Sequence, residues 1–292
     1  ALMDARSIAA TAANKGYLTS ATDLADIEYT HPKYFFDKAI YDRRVYNGVG
    51  KADPSVEIKF GPNIKDWPEM VPLTDNLLLK VASVIHDPVT TTDELIPSGE
   101  TSSYRSNPLG LAEFTLSRKD PEYVGRAKAI QAVEKVREAG ESMGKAFPEV
   151  KEVMHAIKEK FEDVCGSNTG VGSTIYAVKP GDGSAREQAA SCQKVLGGWA
   201  NIAKEYATKR YRSNLINWGM LPFVIDKDFD FDNDDYVFIP GVKDAVKNKT
   251  EVIKAYVVNK NFAEIELRLG ELTDDERQII TDGCLINYYK YN

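Results

Sequence analysis

The segment GDGSARE at 181–187 combines a flexible turn with two side chains that could do chemistry. Gly181 and Gly183 allow a tight turn, and Ser184 and Arg186 follow at the start of a helix-like run. A helix beginning here would direct free backbone N–H groups and the positive end of its dipole toward one point. Arg186 could add a bidentate contact to a carboxylate or phosphate, and a serine in such a field is easier to deprotonate. The pattern therefore indicates an anion site with a serine that acts as a base or nucleophile.

The same letters also fit a purely structural interpretation. Ser184 followed by Glu187 matches a capping box, in which the serine side chain caps the helix and the glutamate reaches back three residues. The glycines would then serve only to make the turn. We expect capping at least in part, and the sequence alone leaves the functional hypothesis open beside it.

The elements that must position this segment alternate between strands and helices. Apolar runs predict strands at 76–85, 173–180, 250–258 and 263–270, with the last two forming a hairpin. Helical spacing predicts helices at 121–144, 148–164 and 184–196, and a further helix closes the chain. The stretch 17–70 is rich in Tyr, Asp and Pro and has weak periodicity, which is typical of a linker. The mixture predicts an α/β fold with some antiparallel pairing.

The bulk composition argues against several classes of protein. The 292 residues carry a net charge of -7, which disfavours a nucleic-acid binder, and 43% of them are hydrophobic, as in a globular protein. No apolar run approaches the roughly 18 residues of a membrane helix. Three cysteines far apart indicate a reducing compartment, so we expect a cytoplasmic protein. Their spacing, like that of the three scattered histidines, does not favour a metal site or a cluster held by this chain alone.

The run that follows the glycine turn resembles the aconitase superfamily of hydro-lyases. Members carry G-x-G-S-S-R-E-H and then L-G-G-x-A-I-I-x-x-S-F-A-x-I-x-x-x-N-L-x-x-x-G-L-L-P. This chain has GDGSAREQ at 181–188 and LGGWANIAKEYATKRYRSNLINWGMLPF at 196–223. Upstream, TTTDELIPSG at 90–99 is similar to the family's T-T-D-x-I, with an arginine six residues after Gly99. At the N-terminus, MDARSIAATAANKGYLTSATDL resembles the close of the third catalytic domain.

The resemblance implies a fold, a reaction and partners. The fold is an aconitase-type swivelling domain, a layered β/β/α arrangement within the α/β class, over 71–292. It is preceded at 1–70 by a remnant of the third catalytic domain and an irregular linker. The reaction is dehydration and rehydration of a small hydroxy polycarboxylic acid. The [4Fe–4S] cluster would belong to the complete enzyme, on cluster-bearing domains of the same protein or on a large subunit. This chain alone would bind no cofactor and would be catalytically incomplete.

The resemblance also assigns roles to individual residues. Ser184 is implied to be the base that takes a proton from carbon, with Asp93 as a supporting active-site acid. Arg186 and Arg105 are implied to hold substrate carboxylates. Arg6, from the N-terminal arginine-bearing loop, is a further substrate contact by the same comparison.

Three positions depart from the family pattern. Ala185 stands in the substrate site where most members have a second serine, which removes one hydrogen-bond donor. Gln188 replaces a histidine, and Ile96 replaces a frequent serine. Two alternatives therefore stay open beside the hydro-lyase hypothesis. One is the small subunit of an isopropylmalate-isomerase-like heterodimer, and the other is a non-catalytic binding relative.

Overall fold

A computed structural model describes residues 2–24, 33–44 and 47–291, and it divides the chain into two compact units, Ala1–Ile58 and Lys59–Asn292. The smaller unit contains α1 (Ala5–Ala13), a 3-10 turn (Ala21–Leu24) and α2 (Lys38–Asp42). Asp4 caps helix α1, because its carboxylate accepts the N–H groups of Arg6 and Ser7. The predicted domain boundary between residues 70 and 71 stays a prediction.

The larger unit mixes strands with helices along its whole length. Its strands are β1 (Asn76–Ile85), β2 (Thr90–Thr91), β3 (Thr169–Ala177), β4 (Pro180–Asp182), β5 (Gly198–Ala203), β6 (Leu221–Val224), β7 (Tyr236–Ile239), β8 (Ile253–Val257) and β9 (Ala263–Leu267). Its helices are α3 (Thr92–Leu95), α4 (Pro108–Ala112), α5 (Tyr123–Glu138), α6 (Met143–Ala146), α7 (Pro148–Lys160), α8 (Arg186–Val195), α9 (Lys209–Asn217), α10 (Val242–Lys247), α11 (Asp274–Asp282) and α12 (Leu285–Tyr291). None of these described helices is long and apolar enough to cross a membrane.

Seven strands form one mixed sheet in the order β6-β5-β3-β1-β7-β8-β9. Pairing is parallel from β6 to β1 and antiparallel from β1 to β9, which confirms the predicted α/β class with some antiparallel pairing. An isolated antiparallel bridge joins Val224 to Arg268. Their backbones exchange two hydrogen bonds of 2.7 and 2.9 Å, so the two outermost strands meet and the sheet curls closed at that corner.

The central strand β1 is apolar on both of its faces. Leu77 and Leu79 pack into the cluster enclosed by the curled sheet, which includes Val237 and Ala255. Alternate residues point to the opposite face, where Ala82 packs among residues of α3, α4, α5 and α8. A strand that is covered on both faces needs apolar residues at consecutive positions, which explains the three successive leucines at 77–79. Each fully buried leucine contributes about 1.5–3 kcal/mol to folding.

Several predicted elements agree with the structure, and others end earlier than expected. The strand at 76–85 and the hairpin of β8 and β9 are confirmed. The predicted helix 121–144 instead ends at Glu138, because Gly140 adopts φ +74. The N–H of Glu141 donates to the Val136 carbonyl and that of Gly140 to the Arg137 carbonyl, which is a Schellman cap. The predicted helix 148–164 ends at Lys160.

Candidate active site

The turn that carries Ser184 leaves a small two-stranded sheet. Strand β4 pairs in parallel with β2, and Thr90 lies opposite Pro180. Gly181 and Gly183 adopt φ +96 and +124, the left-handed region that favours glycine. A Cβ at Gly183 would lie 2.4 Å from the Thr92 hydroxyl oxygen, so only glycine fits that close approach. The predicted need for glycine in this turn therefore has a geometric cause.

Neighbouring elements hold the turn from two sides. On one side the buried Thr92 hydroxyl, in the first turn of α3, accepts the N–H of Ala185 at 3.2 Å. On the other side the Thr208 hydroxyl donates to the Gly181 carbonyl at 3.2 Å. The backbone around Ser184 is therefore tied to both α3 and the start of α9, while its own side chain stays exposed.

The capping-box interpretation of Ser184 and Glu187 is wrong. Helix α8 begins at Arg186 with Ala185 at its N-cap, and no side chain caps it. The Glu187 carboxylate instead accepts the indole N–H of Trp218 at 3.1 Å. Because the Thr92 contact fixes Ala185, the helix begins one residue too late for Ser184 to serve as the cap. The serine hydroxyl and the first N–H groups of α8 therefore have no capping partnership with each other.

Ser184 lies in an open groove of about 320 Å³ between the starts of α8 and α9. The lining combines three cations with three neutral polar groups and one acid: Arg186, Lys209, Arg210, Ser184, Ser213, Asn214 and Glu187. Arg186 is half-buried, and its Nε is enclosed without a hydrogen-bond partner among the described residues. A guanidinium with a free donor in such a position is suited to binding a carboxylate.

Two helices begin at this groove. Helix α8 starts at Arg186, and α9 starts at Lys209 after its cap Thr208, whose hydroxyl accepts the N–H of Tyr211 at 3.2 Å. Helix N-termini present unpaired N–H groups and partial positive charge, both of which favour an anion. The groove is therefore electropositive by side chains and by backbone together.

Asp93 lies outside the lining of this groove. One of its carboxylate oxygens is 2.9 Å from Nη1 of Arg118, and the other accepts the N–H of Ser98 at 3.2 Å. Arg118 also binds Glu100, whose hydrogen bond is the largest cause raising the pKa of the arginine. This pairing gives Asp93 a structural role in the loop after α3, and its catalytic role stays a prediction.

Arg105, Arg6 and Ala185 occupy three different environments. Arg105 is exposed at the end of the 3-10 turn Ser102–Tyr104, and it makes no ion pair within the residues that the structure describes. Arg6 lies in the first turn of α1 in the smaller unit, with its Nε 3.6 Å from an Asp4 oxygen. The half-buried Ala185 packs against the apolar cluster beneath α8. The substrate contacts assigned to these three residues stay predictions.

Thr92, Lys209 and Arg210 hold or line the site, and the sequence did not predict them. The basic pair had a readable signal, because it follows the cap residue Thr208 at the first turn of a helix, where acidic side chains are favoured. Thr92 had none, since its role depends on the pairing of two very short strands.

The described residues do not fit an iron–sulfur cluster or another metal. Among positions 2–24, 33–44 and 47–291, no group of three or more His, Cys, Asp or Glu side chains lies close enough to hold a metal ion. Cys192 and Cys284 are buried, whereas Cys165 is exposed. Burial raises the pKa of the Cys192 thiol to about 12. Such clusters are held by several cysteine thiolates together. His31 lies outside the described residues.

The region around the groove matches a known family. Residues 156–228, which include the Ser184 turn, α8 and α9, match the Aconitase C-terminal domain family. Aconitate hydratase A of Rickettsia bellii (strain RML369-C) is 30% identical over 131 residues, which are 42% of this chain and 15% of that protein. In this region the chain is similar to members of the aconitase superfamily. The resemblance drawn from the GDGSARE and LGG motifs is thereby confirmed.

A solved structure is also similar to this chain. It is 3-isopropylmalate dehydratase (leuD) from Methanocaldococcus jannaschii, at 22% identity and a TM-score of 0.45, and the match covers 74% of this chain and 93% of that one. With the aconitate hydratase, by contrast, the match spans only 15% of the relative's length.

Proposed function

We propose that this chain is the C-terminal part of an aconitase-like hydro-lyase that isomerises a hydroxy tricarboxylic acid by dehydration and rehydration. The observation that carries the proposal is the groove at Ser184. There a serine on a fixed glycine turn lies beside a guanidinium with an unpaired nitrogen, where two helices begin. Similarity of the groove region to the aconitase superfamily supports this choice among the reactions that such a groove could serve.

The groove's own residues suffice for the proton-transfer half of the reaction. Arg186 binds a substrate carboxylate and presents the adjacent C–H bond to the Ser184 oxygen. The positive groove stabilises the deprotonated serine, which takes the proton from carbon. The electron pair of that bond forms the double bond as hydroxide leaves the neighbouring carbon. Addition of water in the reverse sense, with the serine returning the proton, completes the isomerisation.

The remaining parts of the site belong to partners in this proposal. A [4Fe–4S] cluster would be carried by further domains of a longer protein or by a large subunit, because the described residues offer no place for it. Arg105, Arg6 and Asp93 would complete the substrate contacts in that assembly. We place the protein in the cytoplasm, in keeping with its unpaired cysteines.

A reconstitution experiment tests whether the chain supplies part of an active site. Hydration of cis-aconitate, followed as loss of ultraviolet absorbance, is measured for the chain, for a reconstituted cluster-bearing portion, and for their mixture. We expect activity only in the mixture. Turnover of isopropylmalate instead of cis-aconitate would select the heterodimer alternative. Tricarboxylate binding without any turnover would select the non-catalytic relative.

The Ser184→Ala variant tests the base directly. In the active mixture we expect turnover to fall by roughly 10²–10⁴-fold, the usual contribution of a positioned base. Stability should change by less than about 0.5 kcal/mol, because the exposed hydroxyl caps no helix. Ser142→Ala, at an exposed serine distant in sequence and outside the groove, is the matched control. Unchanged turnover in Ser184→Ala would remove the serine from the mechanism.

A further inference from the structure

The first turn of α9 places a basic pair on the groove that Ser184 lines. Lys209 and Arg210 are both exposed. Ser213 lies four residues after Lys209, and Asn214 lies four residues after Arg210. Residues four apart lie on the same face of a helix, so these four side chains form one polar face. All four line the groove.

The charge on this face is uncompensated. Lys209 and Arg210 make no ion pair within the described ranges, and as cations in the first turn of a helix they oppose its dipole. The single acid of the lining, Glu187, has one carboxylate oxygen engaged by the Trp218 indole N–H. Two adjacent cations that oppose the helix dipole and have no acidic partner among the described residues are suited to a ligand that carries negative charge.

The groove reaches from Arg186 on α8 to the basic pair on α9, and its volume of about 320 Å³ suits a small organic acid. We infer that Lys209 and Arg210 form a second anion subsite, which binds a distal carboxylate of the acid held at Arg186 and so selects tricarboxylates over dicarboxylates. The identity of the acid rests on the proposed function, whereas binding itself requires no turnover.

Calorimetric titration of the chain at fixed salt tests this subsite. The ligands are tricarballylate, an unreactive tricarboxylate, succinate, which lacks one carboxymethyl arm, and inorganic phosphate. In the double variant Lys209→Ala, Arg210→Ala we expect tricarballylate affinity to fall by roughly 10- to 100-fold. Succinate affinity should change by less than about threefold, since on this inference only the third carboxylate of tricarballylate reaches α9.

A matched double variant separates a local contact from a change in overall charge. Lys243→Ala, Lys247→Ala in α10 lowers the net charge equally and lies outside the groove lining, so it should leave all three affinities unchanged. Unchanged tricarballylate affinity in the α9 variant would overturn the inference. Equal losses for tricarballylate, succinate and phosphate would overturn it as well, because they would show a general anion patch.

The outcomes also separate this inference from the proposed function. If Ser184→Ala abolishes turnover while the α9 variant binds tricarballylate normally, only the second subsite is disproved. If the α9 variant loses selective binding while no mixture shows turnover, the subsite stands and the hydro-lyase proposal fails.

Discussion

Arg186 shows how one side chain can combine burial with readiness to bind. Its Nε is enclosed and has no partner within the described residues, a state that normally costs about 1–3 kcal/mol. A ligand carboxylate would remove that cost on binding. For a single side chain, readiness to bind an anion thus depends on a hydrogen-bond donor that has no partner among the described residues.

The three cysteines provide a prediction about single side chains. The Ser167 hydroxyl lies 3.0 Å from the exposed Cys165 sulfur and is the largest cause lowering the pKa of that thiol. Burial instead raises the pKa of Cys192 to about 12. A maleimide should therefore label Cys165 first in the folded chain, since the thiolate is the reactive form.

The pH dependence of labelling follows from the direction of the shift. A lowered pKa means that the Cys165 thiolate forms at a lower pH than an ordinary thiol, so the labelling rate should rise early as pH increases. Ser167→Ala should move that rise to higher pH, and Ser142→Ala should not. Mass spectrometry of peptides identifies the site, and earlier labelling of Cys192 would contradict the prediction.

At the scale of elements, the turn at 181–185 depends on partners distant in the sequence. Thr92 in α3 holds it from one side and Thr208 before α9 holds it from the other. These contacts explain why a short, glycine-rich segment can keep a serine in a fixed position. The rigidity of the site comes from α3 and α9 rather than from the turn itself.

The Thr92→Val variant tests this clamp. Valine keeps the shape of threonine but leaves the Ala185 N–H without its acceptor, so we expect a loss of about 1–3 kcal/mol in the free energy of unfolding. Turnover of the reconstituted enzyme should fall as well, because Ser184 loses its fixed position. Thr92→Ser keeps the hydroxyl and should retain most of both. Chemical denaturation measures the first effect, and wild-type stability in Thr92→Val would refute the clamp.

Long elements could be predicted from the sequence, whereas the complete groove could not. Apolar runs and a short turn predict strand β1 and the β8–β9 hairpin. The glycines before Ser184 indicate a backbone with positive φ. Lys209 belongs to the groove only because tertiary packing brings α9 beside α8. The strands β2 and β4 that align Thr92 with the turn have two and three residues, too few for any periodic pattern.

On the scale of the whole larger unit, the main feature is the closure of the sheet. Val224 at the end of β6 and Arg268 after β9 exchange both backbone hydrogen bonds. The Arg268 side chain adds ion pairs of 2.8 Å with Asp226 and with Glu251. These surface pairs contribute little by themselves, so the backbone bonds carry the closure.

Hydrogen exchange can test the closure in the unmodified chain. The amides of Val224 and Arg268 should exchange far more slowly than those of Lys227 and Asp228, which donate to no backbone acceptor within the described part of the chain. The physical reason is that exchange at the bridge requires the two strands to separate. Equal rates at all four positions, measured by NMR or mass spectrometry, would show that the corner is open in solution.

The closed corner also bears on how the protein behaves in a crowded solution. An outermost strand with free N–H and C=O groups is a template on which a second chain can add its own strand, and proteins aggregate by that route. Here β6 and β9 occupy part of each other's free side, so each protects the other from intermolecular pairing. A substitution that opens this corner would therefore appear first as concentration-dependent aggregation, before the buried core unfolds.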